Sequence, residues 1–144
     1  MSSEDLEEQL STYVHFVEQK LKPKLLNAES KANIVRAEIS NYNELANSTE
    51  DENGDSLEST VDLGHRIIFC NAKVKDPKKI FVKLGMGFHV ELTPEEASKF
   101  SKKRISFLKA NRLKEKESEI KEIKGHIQSA SMILDQLYEE MNRS

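Results

Sequence analysis

The chain of 144 residues has no tryptophan and little of the apolar material from which compact cores are built. Only 37% of its residues are hydrophobic and 6% are aromatic, whereas 33% are charged. These fractions are low for a globular core and typical of long helices whose solvated faces carry Lys and Glu. Cys70 is the only cysteine, which excludes an intramolecular disulfide and favours a reducing compartment.

The sequence also lacks long apolar runs and an excess of positive charge. No run approaches the roughly 20 apolar residues that cross a bilayer, and the acidic start MSSEDLEEQL has no apolar core of signal-peptide length. A net charge of −3 and a pI near 5.9 provide no global basic field for nucleic acid or anionic membranes. We therefore expect a soluble protein of the cytoplasm and nucleus, with no direct nucleic-acid partner and no membrane partner.

Motifs of catalysis and cofactor binding are absent from the sequence: there is no phosphate loop, dinucleotide fingerprint, HExxH or nucleophile elbow. Gly85-Met86-Gly87 has no helix start after it to receive an anion, so a hairpin turn is favoured over a phosphate-binding turn. His15 and His126 lack a third ligand and are interpreted as solvated, and Cys70 as a small buried hydrophobe. We predict no catalytic, cofactor-binding or metal-binding residue, no cofactor and no enzymatic activity.

Heptad patterns occupy both ends of the chain. In the first segment, apolar residues recur mostly in steps of four and three, which is typical of a coiled-coil seam. They are Leu6, Leu10, Tyr13, Val17, Leu21, Leu25, Ala28, Ala32, Val35, Ile39 and Tyr42. Three consecutive steps of four, from Tyr13 to Leu25, form a stutter, and Pro23 inside it predicts a kink. This pattern predicts a first helix over residues 3–46.

A second helix is predicted over residues 94–142. It begins at Thr93-Pro94-Glu95-Glu96, with Thr as the N-cap, Pro at the first helical position and Glu at the third. Its last heptads place apolar residues at Ile120, Ile123, Ile127, Ala130, Leu134, Leu137 and Met141. Because the two predicted helices are similar in length, we expect them to pack as an antiparallel coiled-coil hairpin.

Pairing Tyr42 with Phe100 sets an expected register for the two helices. Continued in the antiparallel direction, this register pairs residues nearer the termini: Val17 with Ile123, and Leu10 with Ala130. The polar stretch 109–119 then faces residues 23–33, and both stretches are poor in large apolar residues. We expect a weak section in the middle of the coil and tighter apolar packing near the termini.

An acidic segment and four strand-like runs lie between the helices. Residues 47–56 contain no apolar residue and include Asn53-Gly54, so they predict a mobile loop. Alternating apolar residues predict two β-hairpins over residues 57–93, with turns at Lys75-Asp76-Pro77 and Gly85-Met86-Gly87. The predicted fold is α+β: a long antiparallel coiled-coil helical hairpin with two β-hairpins, four strands in all, at its base. It forms a single domain over residues 1–144.

The predicted strands present apolar faces that one chain of this length cannot cover. Isolated hairpins are only marginally stable in water, and exposed strand edges invite pairing, so we expect strands of other chains to complete the sheets. The predicted oligomerisation residues are Val61, Leu63, Ile80, Val82, Leu84, Gly85, Gly87, Phe88, Val90 and Leu92.

Apolar residues near the termini have two interpretations. They either pack in the seam or form a partly open tip that contacts non-native client chains, and both can hold on different faces. They are Leu6, Leu10, Tyr13, Leu134, Leu137, Tyr138 and Met141. A short basic cluster, Lys102-Lys103-Arg104, is interpreted as the solvated face of the second helix in preference to a contact for an acidic partner.

The strand block and the flanking heptads together resemble the alpha-type subunits of prefoldin. The residues that carry the resemblance are Val61-Asp62-Leu63-Gly64, Ile80, Val82, Leu84-Gly85, Gly87-Phe88, Glu91-Leu92-Thr93, Glu96-Ala97, Lys99-Phe100, Ile123-Lys124 and His126-Ile127. The resemblance covers residues 61 to about 140, whereas the first helix matches only in pattern and residues 47–56 are longer than the family needs. Within the family, two β-hairpins distinguish alpha-type subunits from beta-type subunits, which have one.

The resemblance implies a non-enzymatic co-chaperone or scaffold subunit. Prefoldins are hetero-hexamers of alpha-type and beta-type chains whose strands join in a basal double barrel and whose coils hold client proteins at their tips. One branch of the family joins a URI-like alpha-type chain and a RuvB-like ATPase co-chaperone assembly in a prefoldin-like complex. The alternative implied by the same branch is a nuclear transcription cofactor, a corepressor or coactivator scaffold that binds chromatin and is also associated with the centrosome.

Overall fold

Helices flank two β-hairpins, in the order that the hydrophobic pattern predicts. The structure is a computed structural model that describes residues 3–50, 57–74 and 78–143. Within these residues the helices are α1 (Ser3–Phe16), α2 (Lys22–Glu50), α3 (Pro94–Phe107) and α4 (Lys114–Arg143), with π-helical segments at Val17–Leu21 and Leu108–Leu113. The strands are β1 (Leu57–Gly64), β2 (Ile68–Val74), β3 (Ile80–Gly85) and β4 (Phe88–Leu92).

The first helical stretch ends later than predicted. α2 continues to Glu50 instead of ending at position 46, because the residues that follow are polar but compatible with a helix, and the first glycine comes only at position 54. The Ser48 hydroxyl donates a hydrogen bond of 3.0 Å to the Leu45 carbonyl in the final turns. The remainder of the predicted acidic loop, residues 51–56, and the predicted turn at residues 75–77 lie outside the described residues.

A π-helical segment precedes Pro23, at the position where the stutter predicts a kink. In an α-helix the carbonyl of Gln19 would face the proline ring and find no N–H donor there. Instead, the Lys22 N–H donates to the carbonyl of Val17, five residues earlier, which widens the turn. The wider turn keeps Val17 and Leu21, four residues apart, buried on the same face.

One compact unit comprises Met1–Glu38 and Leu108–Ser144, and its core is the predicted coiled-coil seam. Val17 and Leu21 pack with Ala130, and half-buried Ile127 extends this cluster. A second cluster joins two small residues of α2 to two large residues of α4: Ala28, Ala32, Ile120 and Ile123. Every predicted seam residue of both helical stretches is buried or half-buried, which confirms the heptad assignment.

The predicted register near the termini is wrong by one heptad. Val17 packs with Ala130 and not with Ile123, which instead packs with Ala28 and Ala32. A shift of seven residues returns apolar side chains to the same seam, so the heptad pattern alone does not distinguish the two registers. Side-chain volume distinguishes them, because the small alanines of α2 leave room for the isoleucines of α4.

Ion pairs replace apolar packing over the polar stretch 109–119. None of these residues is buried, which agrees with the predicted weak section, but the facing residues lie at 36–38 and not at 23–33. The Arg36 guanidinium lies 3.4 Å from the Glu117 carboxylate, and the Arg112 guanidinium lies 3.8 Å from Glu38. Exposed pairs of this kind contribute only about 0–1 kcal/mol each. The stretch is therefore held less firmly than the two apolar clusters that follow it along the first unit's seam.

The second compact unit comprises Ile39–Phe107 and contains both hairpins. α3 begins at the predicted capping box: the Glu96 N–H donates to the Thr93 hydroxyl at 3.3 Å, and the Thr93 N–H donates to the Glu96 carboxylate at 3.1 Å. The rings of Tyr42 and Phe100 meet edge to face with centroids 6.0 Å apart, as the sequence register predicts. Ala97 is fully buried on the inner side of α3.

Backbone amides of residues 114–119 should exchange with solvent at least about tenfold faster than those of residues 127–137 in the same helix, since fewer apolar contacts oppose local opening. Hydrogen exchange measured on the assembled complex tests this, and comparison within α4 removes differences in helix type. Uniform protection along α4 would show that the ion pairs hold the polar stretch as firmly as apolar packing does.

Candidate functional site

The first hairpin, β1–β2, is closed by a tight turn of non-glycine residues. The Ile67 N–H donates to the Gly64 carbonyl at 3.1 Å, and His65 and Arg66 both have positive φ, of 48° and 59°. These values are those of a type I′ turn, which matches the right-handed twist of the strands but strains residues other than glycine. The sequence analysis did not identify this turn.

The Asp62 side chain holds the strained turn in place. Its carboxylate accepts hydrogen bonds from the N–H of Gly64 at 2.9 Å and from the N–H of Arg66 at 3.2 Å. Aspartate commonly fixes a turn in this way, by bonding to backbone N–H groups two or more residues further on. The sequence signal for this turn is therefore Asp62, two positions before Gly64, and not a glycine inside the turn.

The two faces of the β1–β2 hairpin differ in chemistry. On one face, Lys73 lies 3.4 Å from Glu58 across the strands, and the Thr60 hydroxyl lies 3.4 Å from the Asn71 side-chain oxygen. The opposite face carries the cross-strand pair of Val61 and Cys70, together with Ser59, Ala72 and Val74. The polar residues of the first face contact each other across the strands, although Phe69, which pairs with Asp62, is exposed on the same face. No described residue covers the apolar face.

No residue of the hairpin between Glu58 and Val74 is buried, and only Ala72 is half-buried. The predicted assembly residues Val61 and Leu63 are 41% and 63% exposed. Cys70 is exposed, contrary to the expectation of a buried hydrophobe, because none of the described elements covers its face. Sequence reasoning missed further exposed apolar residues in the run RIIFC, where a continuous apolar stretch was the available signal: Ile67, Ile68 and Phe69.

The second hairpin, β3–β4, is closed by the predicted glycine turn. Gly85 pairs with Phe88, which leaves Met86 and Gly87 as a two-residue loop. All three loop-side residues have positive φ: 114° at Gly85, 50° at Met86 and 80° at Gly87. This backbone confirms that the connection after Leu84 needs left-handed conformations, which glycine adopts without strain.

One face of β3–β4 is covered within the chain, which corrects the expectation that all predicted strand faces stay open. Val82 is only 5% exposed, and its cross-strand neighbour Val90 and the pair Ile80 and Leu92 are half-buried. The physical reason is the short connection from β4 through Thr93 into α3, which places the helix in contact with both strands. These four residues form an intramolecular core in this chain.

Other apolar residues of β3–β4 remain exposed. Leu84 and Phe88, both predicted assembly residues, lie next to the turn and are exposed, as is Met86 within it. Phe81 is also exposed; it alternates with Val82 and shares its strand face with Lys83, and the sequence analysis gave it no role. An aromatic residue at a polar position was the signal that should have been followed. Together with the apolar face of β1–β2, these residues form what we call the assembly surface.

The predicted tip residues divide by burial. Leu6 and Leu137 are buried in the seam, and Leu10, Tyr13, Leu134 and Met141 are half-buried, whereas Tyr138 is exposed. Three exposed apolar residues in the same helical ends were not predicted because they interrupt the heptad pattern: Val14, Phe16 and Met132. The inner faces of the helical ends therefore pack in the seam, as the first interpretation predicts. The outer faces expose apolar area, which the second interpretation requires.

Within residues 3–50, 57–74 and 78–143, no group of three or more His, Cys, Asp or Glu side chains is placed to hold a metal ion. A search of the same residues finds no helix both long enough and apolar enough to span a membrane.

Comparison with known proteins decides the family. A model of the prefoldin subunit family matches residues 14–140. The chain belongs to the prefoldin subunit family. Relatives of this prefoldin subunit include a Protein UXT homolog of Nematostella vectensis, 37% identical over 109 residues, which are 72% of this chain and 68% of that protein. The two β-hairpins of this chain agree with the resemblance to alpha-type subunits.

Two further relatives carry the same name. A Protein UXT homolog of Dictyostelium discoideum is 31% identical, over 67% of this chain and 61% of that protein. Protein UXT of Rattus norvegicus is 34% identical, over 70% of this chain and 66% of that protein. The matches thus span about two thirds of the length of these relatives. A filamentous prefoldin from Methanocaldococcus jannaschii, determined by cryo-electron microscopy, is 22% identical, with a TM-score of 0.46 and coverage of 85% of this chain and 95% of that chain.

Replacing Gly87 with Val should destabilise the second hairpin by about 1–3 kcal/mol, because a β-branched residue is strained at positive φ. No described atom lies within 4 Å of the position of the new Cβ, so the cost comes from the backbone and not from a clash. The matched control is Gly125→Ala in α4, where the new Cβ also meets no described atom within 4 Å and alanine should stabilise the helix by about 0.5–1 kcal/mol. Chemical denaturation measures both, and equal stability of the two variants would contradict the turn assignment.

The double variant Val61→Thr and Val74→Thr should weaken binding to prefoldin-type partners by about 1–3 kcal/mol for each hydroxyl placed in a dry interface. Threonine keeps the shape and strand preference of valine, so the hairpin itself should persist. Val14→Thr in α1 is the control, since Val14 is 38% exposed against 41% for Val61 and Val74. Co-purification with beta-type subunits measures the effect, and undiminished binding of the double variant would exclude this face from the interface.

Proposed function

We propose that this chain is a non-enzymatic co-chaperone subunit that assembles through its hairpins into a prefoldin or prefoldin-like complex. The observation that carries the proposal is the apolar face of β1–β2, which no described residue covers and which lies opposite the face with cross-strand polar pairs. A two-stranded hairpin with an open apolar face is marginally stable in water. Strands or sheets of other subunits would both bury that face and pair with the exposed strand edges.

Membership of the prefoldin family supports other prefoldin-type subunits as the partners. The proposed complex is a hetero-hexamer in which this alpha-type chain joins beta-type chains and a URI-like alpha-type chain. The UXT-like sequence further supports association of that complex with a RuvB-like ATPase co-chaperone assembly. We propose that it acts in the cytoplasm and nucleus.

The ends of α1 and α4 are the proposed contact for client proteins. Phe16, Met132 and Tyr138 are exposed there, next to half-buried seam residues that can open at modest cost. Aromatic and methionine side chains suit the capture of varied non-native chains, because methionine adapts its shape and aromatic rings bury a large area. We therefore propose that client affinity comes from burying apolar client side chains against these exposed residues.

The double variant Phe16→Ser and Tyr138→Ser should raise at least about tenfold the amount of complex needed to keep an unfolded model client from aggregating. Full burial of each side chain contributes about 1.5–3 kcal/mol, so the loss of even half of it at both positions exceeds the roughly 1.4 kcal/mol of a tenfold change. The matched control is Leu26→Ser with Ile34→Ser, which removes two exposed apolar side chains elsewhere on the coil, 71% and 67% exposed. Light scattering measures client aggregation, and gel filtration confirms that both variants still assemble.

Equal effects of the two double variants would contradict client binding at the ends of the coil. A wild-type complex that assembles fully but never suppresses client aggregation would contradict the co-chaperone role itself. That result would favour the alternative, a transcription-cofactor scaffold that uses the prefoldin fold only for assembly.

A further inference from the structure

One face of α2 carries no charged residue over about four turns, in a chain in which 33% of the residues are charged. It lies on the side of the helix opposite the seam residues Ala28 and Ala32, and all of its residues are exposed. We call it the α2 outer face: Pro23, Leu26, Asn27, Ser30, Asn33, Ile34 and Ala37. The outer face of α4 differs, since Lys121 and Glu122 lie on it. Charges of alternating sign are typical of the solvated face of a coiled-coil helix, so the α2 outer face departs from that pattern.

The α2 outer face has two large apolar side chains and a depression beside them. Leu26 is 71% exposed and Ile34 is 67% exposed. The shallow depression is lined by Leu26, Glu29, Ser30, Asn33, Ile34 and Ala37. Residues 30, 33, 34 and 37 have the spacing of a hole that receives one side chain of a facing helix in a coiled coil. The face therefore offers both knobs and a hole to another helix.

The residues of the α2 outer face are arranged symmetrically about Ser30. The large side chains of Leu26 and Ile34 lie four residues before and four residues after it, and the small side chains of Pro23 and Ala37 lie seven residues before and seven after. In an antiparallel pair of identical helices with a two-fold axis at Ser30, each residue before the axis faces one equally far after it. The face is therefore complementary to itself, which is the requirement for an interface between two copies related by a two-fold axis.

We propose that the α2 outer face binds the same face of a second copy of this chain, in the antiparallel direction, with Ser30 on the two-fold axis. Leu26 of each copy enters the depression beside Asn33 and Ala37 of the other copy, so the same contact forms twice. The small side chain of Ser30 lets the two helices approach closely at the axis. This contact joins one assembled complex to another through the coil, and it depends neither on the assembly surface nor on client binding.

The charges on both flanks of the α2 outer face suit a second copy. On one flank, three charged residues pair within the chain and need no counter-charge from a partner: Lys22 with Glu18, Glu29 with Lys124, and Arg36 with Glu117. On the other flank, the antiparallel arrangement brings Lys24 of each copy near Glu38 of the other, because they lie six residues before and eight residues after Ser30. Lys31, nearest the axis on this flank, is exposed and can extend its ammonium group into solvent. Neither copy therefore buries an unpaired charge.

The expected contact is weak. About four turns of one helix bury less than the roughly 1,200 Å² at which stable interfaces begin, so we expect a dissociation constant of about 0.1 mM. The two copies are therefore apart at the low micromolar concentrations of a client-aggregation assay. Leu26→Ser with Ile34→Ser consequently remains a suitable control in that assay.

Sedimentation velocity of the full chain assembled with its beta-type partners tests the pairing, at complex concentrations from about 10 to about 500 µM. Wild-type complexes should self-associate as the concentration rises. Ser30→Glu should weaken this association at least about tenfold, because it brings two carboxylates together at the axis. The matched control is Ser129→Glu, the same change at an exposed position of α4, which should leave the association unchanged. A mixture of Ser30→Glu complexes with Ser30→Lys complexes should associate again.

Disulfide formation tests the antiparallel direction. Ser30→Cys should cross-link two copies under mild oxidation, because the two-fold axis brings both sulfur atoms together. Ala37→Cys lies one heptad later on the same face and should not cross-link, since the two copies of this position lie about 21 Å apart along an antiparallel pair. Peptide mapping separates links between the introduced cysteines from links through Cys70.

Four results would overturn the proposal. The absence of both self-association and cross-linking at position 30, or equal effects of Ser30→Glu and Ser129→Glu, would show that this face does not bind a second copy. Faster cross-linking of Ala37→Cys than of Ser30→Cys would exclude the antiparallel arrangement. Loss of a beta-type subunit or of client protection in Ser30→Glu, with self-association unchanged, would assign the face to a different partner.

Discussion

The rest of this structure depends on the fact that a two-stranded sheet has more apolar surface than it can bury by itself. The chain meets this constraint in two ways. For β3–β4, α3 follows directly after the last strand and covers the face that contains Val82. For β1–β2, no residue between Glu58 and Val74 is buried, and no described residue covers the face that contains Val61 and Cys70. The same local architecture therefore yields an internal core at one hairpin and an exposed surface at the other, and the second supports assembly with other prefoldin-type chains.

Different forces act along the coil. Apolar clusters of Val17 with Ala130, and of Ala28 with Ile123, stabilise one part of the seam by hydrophobic packing. Between residues 109 and 119, exposed ion pairs take over and contribute much less free energy. The π-helical segment before Pro23 lets the apolar steps of four remain in the seam in spite of the proline. The stability of this coil is therefore uneven along its length.

The overall composition of the chain does not reveal the exposed residues on which the proposals rest. A low aromatic fraction excludes a large aromatic core, yet Phe16, Phe81 and Phe88 are exposed at positions where partners or clients would contact them. Because the buried core is small, binding by this chain depends more on where a few exposed side chains lie than on its overall composition.

Local patterns in the sequence determined the helices, the capping box at Thr93, the glycine turn at Gly87 and the seam residues, because each depends on neighbours within about one or two turns of chain. The resemblance to prefoldin alpha-type subunits was likewise carried by short strand and helix motifs. Only the tertiary structure decided which heptad of α4 faces α2, since a shift of seven residues preserves the pattern and side-chain volume alone separates the registers. It also decided that Val82 is covered while Cys70 is not, because burial depends on which element folds back over a strand, and strand periodicity is the same in both cases.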